Sequence, residues 1–140
     1  MSRFVLDCSV SMSWCFGDEA NEYADSVLNS LQTMNALVPS LWAIEATNVL
    51  LVAERRNRIT PAQSIRAITL LQALPIFTDA NSPQQLMSAT LDLARSHKLS
   101  AYDAAYLELA LREGLDLATL DKRLTQAAQE CGVELFASQP

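Results

Sequence analysis

Glycine occurs only three times and histidine once in the 140 residues. With so little glycine there is no glycine-rich loop of the kind that wraps phosphates. A single histidine, His97, leaves no His/Cys set with zinc spacing. It also makes a Ser-His-Asp relay hard to assemble. His97 reads best as the polar end of a helix, since nothing at helical spacing joins it. Cysteine is scarce as well. Cys8, Cys15 and Cys131 are odd in number and lack metal-ligand spacing. They fit reduced thiols in a cytoplasmic protein better than a disulfide framework, with Cys8 and Cys15 as small buried hydrophobes. No apolar run reaches the roughly 18 residues of a membrane-crossing helix. The N-terminus has no basic stretch leading into an apolar one, so no membrane partner is expected. Positive charge is short too, with ten Lys and Arg against sixteen Asp and Glu, a net charge of −6. That argues against coating nucleic acid by charge alone, but leaves room for an enzyme whose acidic pocket is neutralised by cations.

What is present is a chain that is half apolar, without repeats or linkers. The expectation is one globular domain over residues 1–140. Arg3 to Cys8 is strand-like, and Glu19 to about Thr33 has helical spacing of Ala20, Tyr23, Ala24, Val27, Leu28 and Leu31. "ALVP" from Ala36 reads as a second strand, and Ser40 as the cap of a helix running from Leu41 to about Asn57. Thr60-Pro61-Ala62-Gln63 and Ser82-Pro83-Gln84-Gln85 are two helix starts, each with a cap, a proline in the first turn and a glutamine three residues on. "PIFTD" lies between them as a strand. A helix from about Pro83 to His97 is followed by another from Ala101 to Glu113, closed by Gly114. "DLATLD" is then a strand, "DKRLTQAAQEC" a helix ended by Gly132, and "VELF" a last strand. Strands alternating with helices predict an α/β fold with a mostly parallel sheet covered on both faces. Ligands on such sheets bind beyond the carboxyl ends of the strands.

Four acids fall where such a sheet would display them. Asp7 and Asp121 stand at the carboxyl ends of two strands. Glu45 lies in "SLWAIEATNVLLVAERR", which is apolar almost all round, as in a central packing helix; Asn48 at i+3 could brace it. Asp103 lies in "LSAYDAAYLELALREG", where Ser100 and Asp103 also make a capping-box pattern. Read singly, Asp7 and Asp121 are open to the same capping explanation. Read together, several carboxylates at one sheet edge repel one another, and a divalent cation between them is what makes the cluster tolerable. Hard oxygen ligands of this kind suit Mg²⁺ or Mn²⁺.

These residues carry a resemblance. "FVLDCSV", "PSLWAIEATNVL", "LSAYDAAYLELA" and "LATLDKRL", in this order over nearly the whole length, resemble the four acidic segments of PIN-domain ribonucleases, specifically VapC-type toxins of toxin–antitoxin pairs. The resemblance implies a PIN-like α/β/α sandwich that cleaves RNA with Mg²⁺ or Mn²⁺. It implies Asp7, Glu45, Asp103 and Asp121 as the catalytic, metal-binding set, and Ser9, Asn48 and Thr119 as supporting residues. It further implies a metal-activated water attacking phosphorus to leave 5′-phosphate and 3′-hydroxyl ends, a VapB-type antitoxin as partner, and a homodimer. Lys122 and Arg123, next to Asp121, are the candidates for gripping RNA phosphates. The cluster Arg55, Arg56 and Arg58 reads as a solvated helix end or an antitoxin contact, and Trp14 and Phe16 as core aromatics. Two other readings stay open. One is a non-catalytic module of the same fold whose acids only cap helices. The other is a phosphatase with Asp7 as nucleophile, for which position 9 offers Ser9 where a second aspartate is wanted.

Overall fold

The structure, a computed structural model of the chain, describes residues 2–137. In chain order the elements are β1 (Arg3–Leu6), α1 (Cys8–Ser13), a short 3-10 turn (Gly17–Glu19), α2 (Glu22–Ser30), β2 (Asn35–Val38) and α3 (Trp42–Arg55). There follow α4 (Pro61–Ala73), β3 (Ile76–Thr78), α5 (Pro83–His97), α6 (Ala101–Glu113), β4 (Leu117–Ala118) and α7 (Lys122–Glu130). The four strands pair in parallel in the order β3-β2-β1-β4. The chain therefore steps one way from β1 to β2 and β3, then returns to place β4 on the other side of β1. A reversal of this kind opens a crevice beyond the carboxyl ends of the two strands that flank it.

Alternation along the strands divides the core in two. Val5, Leu37 and Leu117 face one layer, packed with Leu50 and Ala53 of α3, Leu71 of α4, Tyr106 and Leu109 of α6 and Leu124 of α7. Phe4, Leu6, Ala36 and Val38 face the other, against Ala24 and Val27 of α2 and Val10 of α1. This is the α/β/α sandwich the sequence predicts. Phe136 closes the second layer by stacking on Phe4, with ring centroids 4.1 Å apart. Its carbonyl accepts a 2.7 Å bond from the Tyr23 hydroxyl.

Several local expectations change. The first strand stops at Leu6, and Cys8 already begins α1. The helix expected from Glu19 starts at Glu22, because Asn21 caps it by accepting from the Ala24 N–H. Ser40 caps nothing; Leu41 holds the N-cap position of α3 without a side-chain bond. The helix α3 is also not the central one. Only Ala46, Leu50 and Ala53 are buried, while Ile44 is 73 % exposed. The central helix is α6, with seven consecutive buried residues from Ala104 to Ala110. "VELF" pairs with β4 only at a single bridge, Leu117 to Leu135, because the chain turns away to lay Phe136 on Phe4. The caps at Thr60, Ser82 and Ser100 form as expected, and Gly114 takes the left-handed conformation that ends α6.

Candidate active site

The four acids share one structural address. Asp7 follows β1 directly and occupies the N-cap position of α1. Glu45 lies in the first turn of α3, which follows β2, and Asp103 in the first turn of α6. Asp121 is the N-cap of α7, just past β4. Parallel strands deliver helix starts to the same sheet edge, and the unpaired N–H groups of those first turns carry partial positive charge that favours anions.

Asp7 is 4 % exposed. It sits at an N-cap, yet its carboxylate caps nothing. Instead Oδ2 accepts from the Ser9 hydroxyl at 2.6 Å and the Thr119 hydroxyl at 2.8 Å. Each hydroxyl has one proton to give, so the 3.5 Å approach between the two hydroxyl oxygens is proximity alone. The same two oxygens accept backbone N–H groups from the β4–α7 link, Leu120 to Ser9 and Asp121 to Thr119, both at 3.0 Å. Ser9 and Thr119 thus tie Asp7 to the segment that carries Asp121. Burial, and then the negative charge of Asp121, raise the Asp7 carboxyl above its ordinary range; the two hydroxyl bonds oppose this without reversing it.

Glu45 is held from a different direction. Tyr106 of α6, wholly buried, donates its hydroxyl to Oε1 at 2.6 Å. Asn48, the expected brace, is exposed, so Tyr106 takes the role assigned to it. Tyr106 escaped the sequence reading because "AAYLELA" looks like plain core; its one signal was a polar-tipped ring in the most buried helix, which needs a partner for its hydroxyl. Burial raises the Glu45 carboxyl, Tyr106 lowers it, and the charges of Asp7 and Asp103 raise it again. Asp103 is raised by burial and then by Asp7 and Asp121, with the nearby Ser100 hydroxyl opposing. Its capping box is half made. Ser100 accepts from the Asp103 N–H at 3.1 Å, without the reciprocal side-chain bond that completes the cap at Thr60 and Gln63. Asp121 does cap α7, through Oδ1 and the Leu124 N–H at 2.9 Å.

Asp7 and Asp103 feel the charge of Asp121, and Glu45 feels those of Asp7 and Asp103. Among the described residues none of the four is ion-paired with a Lys or Arg. Nor do any three His, Cys, Asp or Glu side chains form a group that could hold a metal ion as they stand. The carboxylates lean instead on the Ser9 and Thr119 hydroxyls, the Tyr106 hydroxyl and the start of α7. The donor set is hard oxygen with an unbalanced negative charge, which fits a divalent cation of the Mg²⁺ kind. Lys122 and Arg123 are exposed on the first turn of α7. Arg123 borders a hollow shared with His97, away from α1 and α3. Arg58 is engaged by Asp18 and Glu19 and lies over the Phe16 ring; Phe16 is buried, and the Trp14 indole donates to the Ala24 carbonyl at 2.8 Å.

The fold and the site together define a parallel α/β/α domain that gathers four acids at the carboxyl edge of its sheet. The chain belongs to the PIN domain family, whose profile matches residues 4–130. It is 27 % identical over 124 residues to Ribonuclease VapC3 of Pyrobaculum aerophilum, spanning 89 % of this chain and 93 % of that protein. Its fold is shared with PAE2754 from Pyrobaculum aerophilum, with a TM-score of 0.68 and 23 % identity over 90 % of this chain and 86 % of the other. A toxin–antitoxin complex from Klebsiella pneumoniae contains a chain of the same fold, with a TM-score of 0.60 and 17 % identity over 87 % and 89 % of the two chains.

Proposed function

We propose that this protein is a divalent-metal-dependent endoribonuclease acting in the cytoplasm as the toxin of a toxin–antitoxin pair. One observation carries the reading: the Asp7, Glu45 and Asp103 carboxyls are each raised by burial and by the charge of neighbouring acids, and among the described residues no Lys or Arg pairs with them or with Asp121. The similarity to a VapC ribonuclease and the fold shared with a toxin–antitoxin chain support the substrate and the partner. Asp7, Glu45, Asp103 and Asp121 would hold Mg²⁺ or Mn²⁺. When bound, the metal supplies a nucleophilic water at neutral pH and stabilises charge on the leaving oxygen. Ser9 and Thr119 fix the Asp7 carboxylate, and Tyr106 fixes that of Glu45. Lys122 is exposed and would meet a phosphate. Beside the starts of α3 and α6 lies an apolar hollow of about 590 Å³, with Leu41, Met87, Leu91 and Tyr102 in its lining. It offers a protein partner, a second copy or an antitoxin, a seat next to the acids. The basic tail of an antitoxin would also find the acidic pocket receptive.

The test is incubation of the purified chain with tRNA, ribosomal RNA fragments and messenger RNA in the presence of Mn²⁺ or Mg²⁺. Cleavage that leaves 5′-phosphate ends and stops in chelator is expected from the wild type, and none from Asp103→Asn. Identical behaviour of the two across all substrates would refute the proposal. A second reading, a non-catalytic module, is favoured by the cap that Asp121 makes and by the separation of the acids. It requires no Mn²⁺ binding and a melting temperature indifferent to chelator.

Tyr106→Phe offers a finer check. The variant leaves Glu45 Oε1 without its donor and is expected to weaken Mn²⁺ binding about tenfold, the usual size for losing such an outer partner. Calorimetric titration measures this. An unchanged affinity would confine Tyr106 to packing.

A further inference from the structure

Cys131 ends α7 and His97 ends α5, and the fold brings them together away from the acids. Cys131 Sγ lies 3.2 Å from His97 Nε2. The other ring nitrogen, Nδ1, lies 2.9 Å from Glu130 Oε2. An ionised carboxylate can only accept, so Nδ1 carries the ring proton and donates it to Glu130. That leaves Nε2 as an acceptor facing the thiol. The side-chain amide of Gln126 donates to the other Glu130 oxygen at 3.3 Å and steadies the carboxylate. A thiol, a base and an acid that orients the base stand in line, the arrangement that activates sulfur and oxygen nucleophiles. Beside them is a surface hollow of about 460 Å³ whose lining includes His97, Lys98, Arg123, Gln126 and Glu130. Lys98 and Arg123 outnumber the single carboxylate of Glu130, so the hollow is net positive towards a visitor.

We propose that Cys131, with His97 as its base and Glu130 as the group that orients His97, is a modification site that forms a mixed disulfide with a small carboxylate-bearing disulfide. The Sγ proton passes to Nε2, and the sulfur electron pair attacks one sulfur of the incoming disulfide. A new S–S bond forms as the old one breaks, and the departing thiolate takes the proton from His97. Cys131 is oxidised, and half of the small disulfide leaves as a thiol. The other two cysteines lack this equipment. Cys8 is buried against the acids and burial pushes its thiol far up; the Cys15 thiol is pushed up to about 11 by burial. Cys131 is raised as well, by burial and then by the Glu130 charge, so its thiolate depends on handing the proton to His97.

The experiment uses the purified, folded chain with glutathione disulfide as probe, followed by intact mass and peptide mapping. One glutathione adduct on Cys131 is expected while Cys8 and Cys15 stay unmodified. Cystamine, a cationic disulfide, should react more slowly. His97→Ala should slow the adduct at least about tenfold, within the usual reach of a positioned base. His97→Gln repeats the test with a bulkier side chain, and circular dichroism identifies any variant that has not folded. RNA cleavage by folded His97 variants should be unchanged. Absence of an adduct, first modification at Cys8 or Cys15, or equal rates in the folded His97 variants would overturn the proposal. Equal rates for the two disulfides would overturn its selection for carboxylates.

Discussion

Asp7→Asn is expected to lower RNA cleavage by at least about 100-fold while melting, in chelator, at the same temperature as the wild type or higher. On the proposed function, the activity loss follows from removing one of the charges that would hold the cation. A single preorganised electrostatic group is worth roughly 10² to 10³ in rate. The stability outcome has a separate cause. The Asp7 carboxyl is almost wholly buried, and burial together with Asp121 makes its ionised form unfavourable. Asparagine has the same shape, keeps one oxygen for Ser9 and Thr119, and removes the charge. A residue kept for catalysis against the interest of the fold behaves in this way. Thermal melts in chelator beside single-turnover cleavage assays measure both effects. A fall of many degrees in melting temperature, with activity lost in proportion to unfolding, would make Asp7 a structural residue.

The second large effect couples metal to pH. Asp7, Glu45 and Asp103 bind protons more tightly in the folded chain than at their ordinary values of 3.8, 4.5 and 3.8. Below those values the groups are protonated in both states and do not alter stability. As pH climbs through the raised folded values, the folded chain gives up protons it binds more tightly than the unfolded chain does. Stability from these three groups therefore falls as pH rises above about 4. On the proposed function, a divalent cation reverses the trend, because it would bind the deprotonated site of the folded form. At a hundred times its dissociation constant it adds about 2.7 kcal/mol. For a chain of this size that corresponds to a rise of roughly 5–10 °C in melting temperature. The rise should be present at pH 7.5, shrink towards pH 5 as protons compete, and vanish in the Asp103→Asn chain. Calorimetric scans with Mn²⁺ and with chelator at both pH values check it. A gain that ignores pH would place the ion elsewhere.

The parts of the fold that were legible in the sequence are those set by local chemistry. Thr60, Pro61 and Gln63 make their capping box, Ser82 and Ser100 cap as written, and Gly114 stops α6 in the left-handed conformation. Where tertiary packing decides, the pattern misled. "VELF" alternates like a strand, yet β4 has two residues and can offer it one bridge. The apolar run around Glu45 looked central, yet Ile44 and Leu51 lie at the surface. The short α1 was hidden because serines at 9, 11 and 13 are weak helix formers. Of the site, Asp7, Glu45 and Asp121 could be read because the helix starts that carry them follow strand ends; Asp103 opens α6, which follows α5, and was legible only from its own motif. Their supports could not all be read. Tyr106 and Glu45 are 61 residues apart, and Cys131 and His97 are 34 apart; only folding makes either pair a pair.

The acids hang from the beginnings of helices and not from the apolar layers that hold the sheet together. Chemistry and architecture are consequently separable in this molecule. Exchange of a single oxygen for nitrogen is expected to silence the one and leave the other standing. Descendants altered in that way would keep the fold, and a lineage could lose its chemistry without ever passing through an unfolded ancestor.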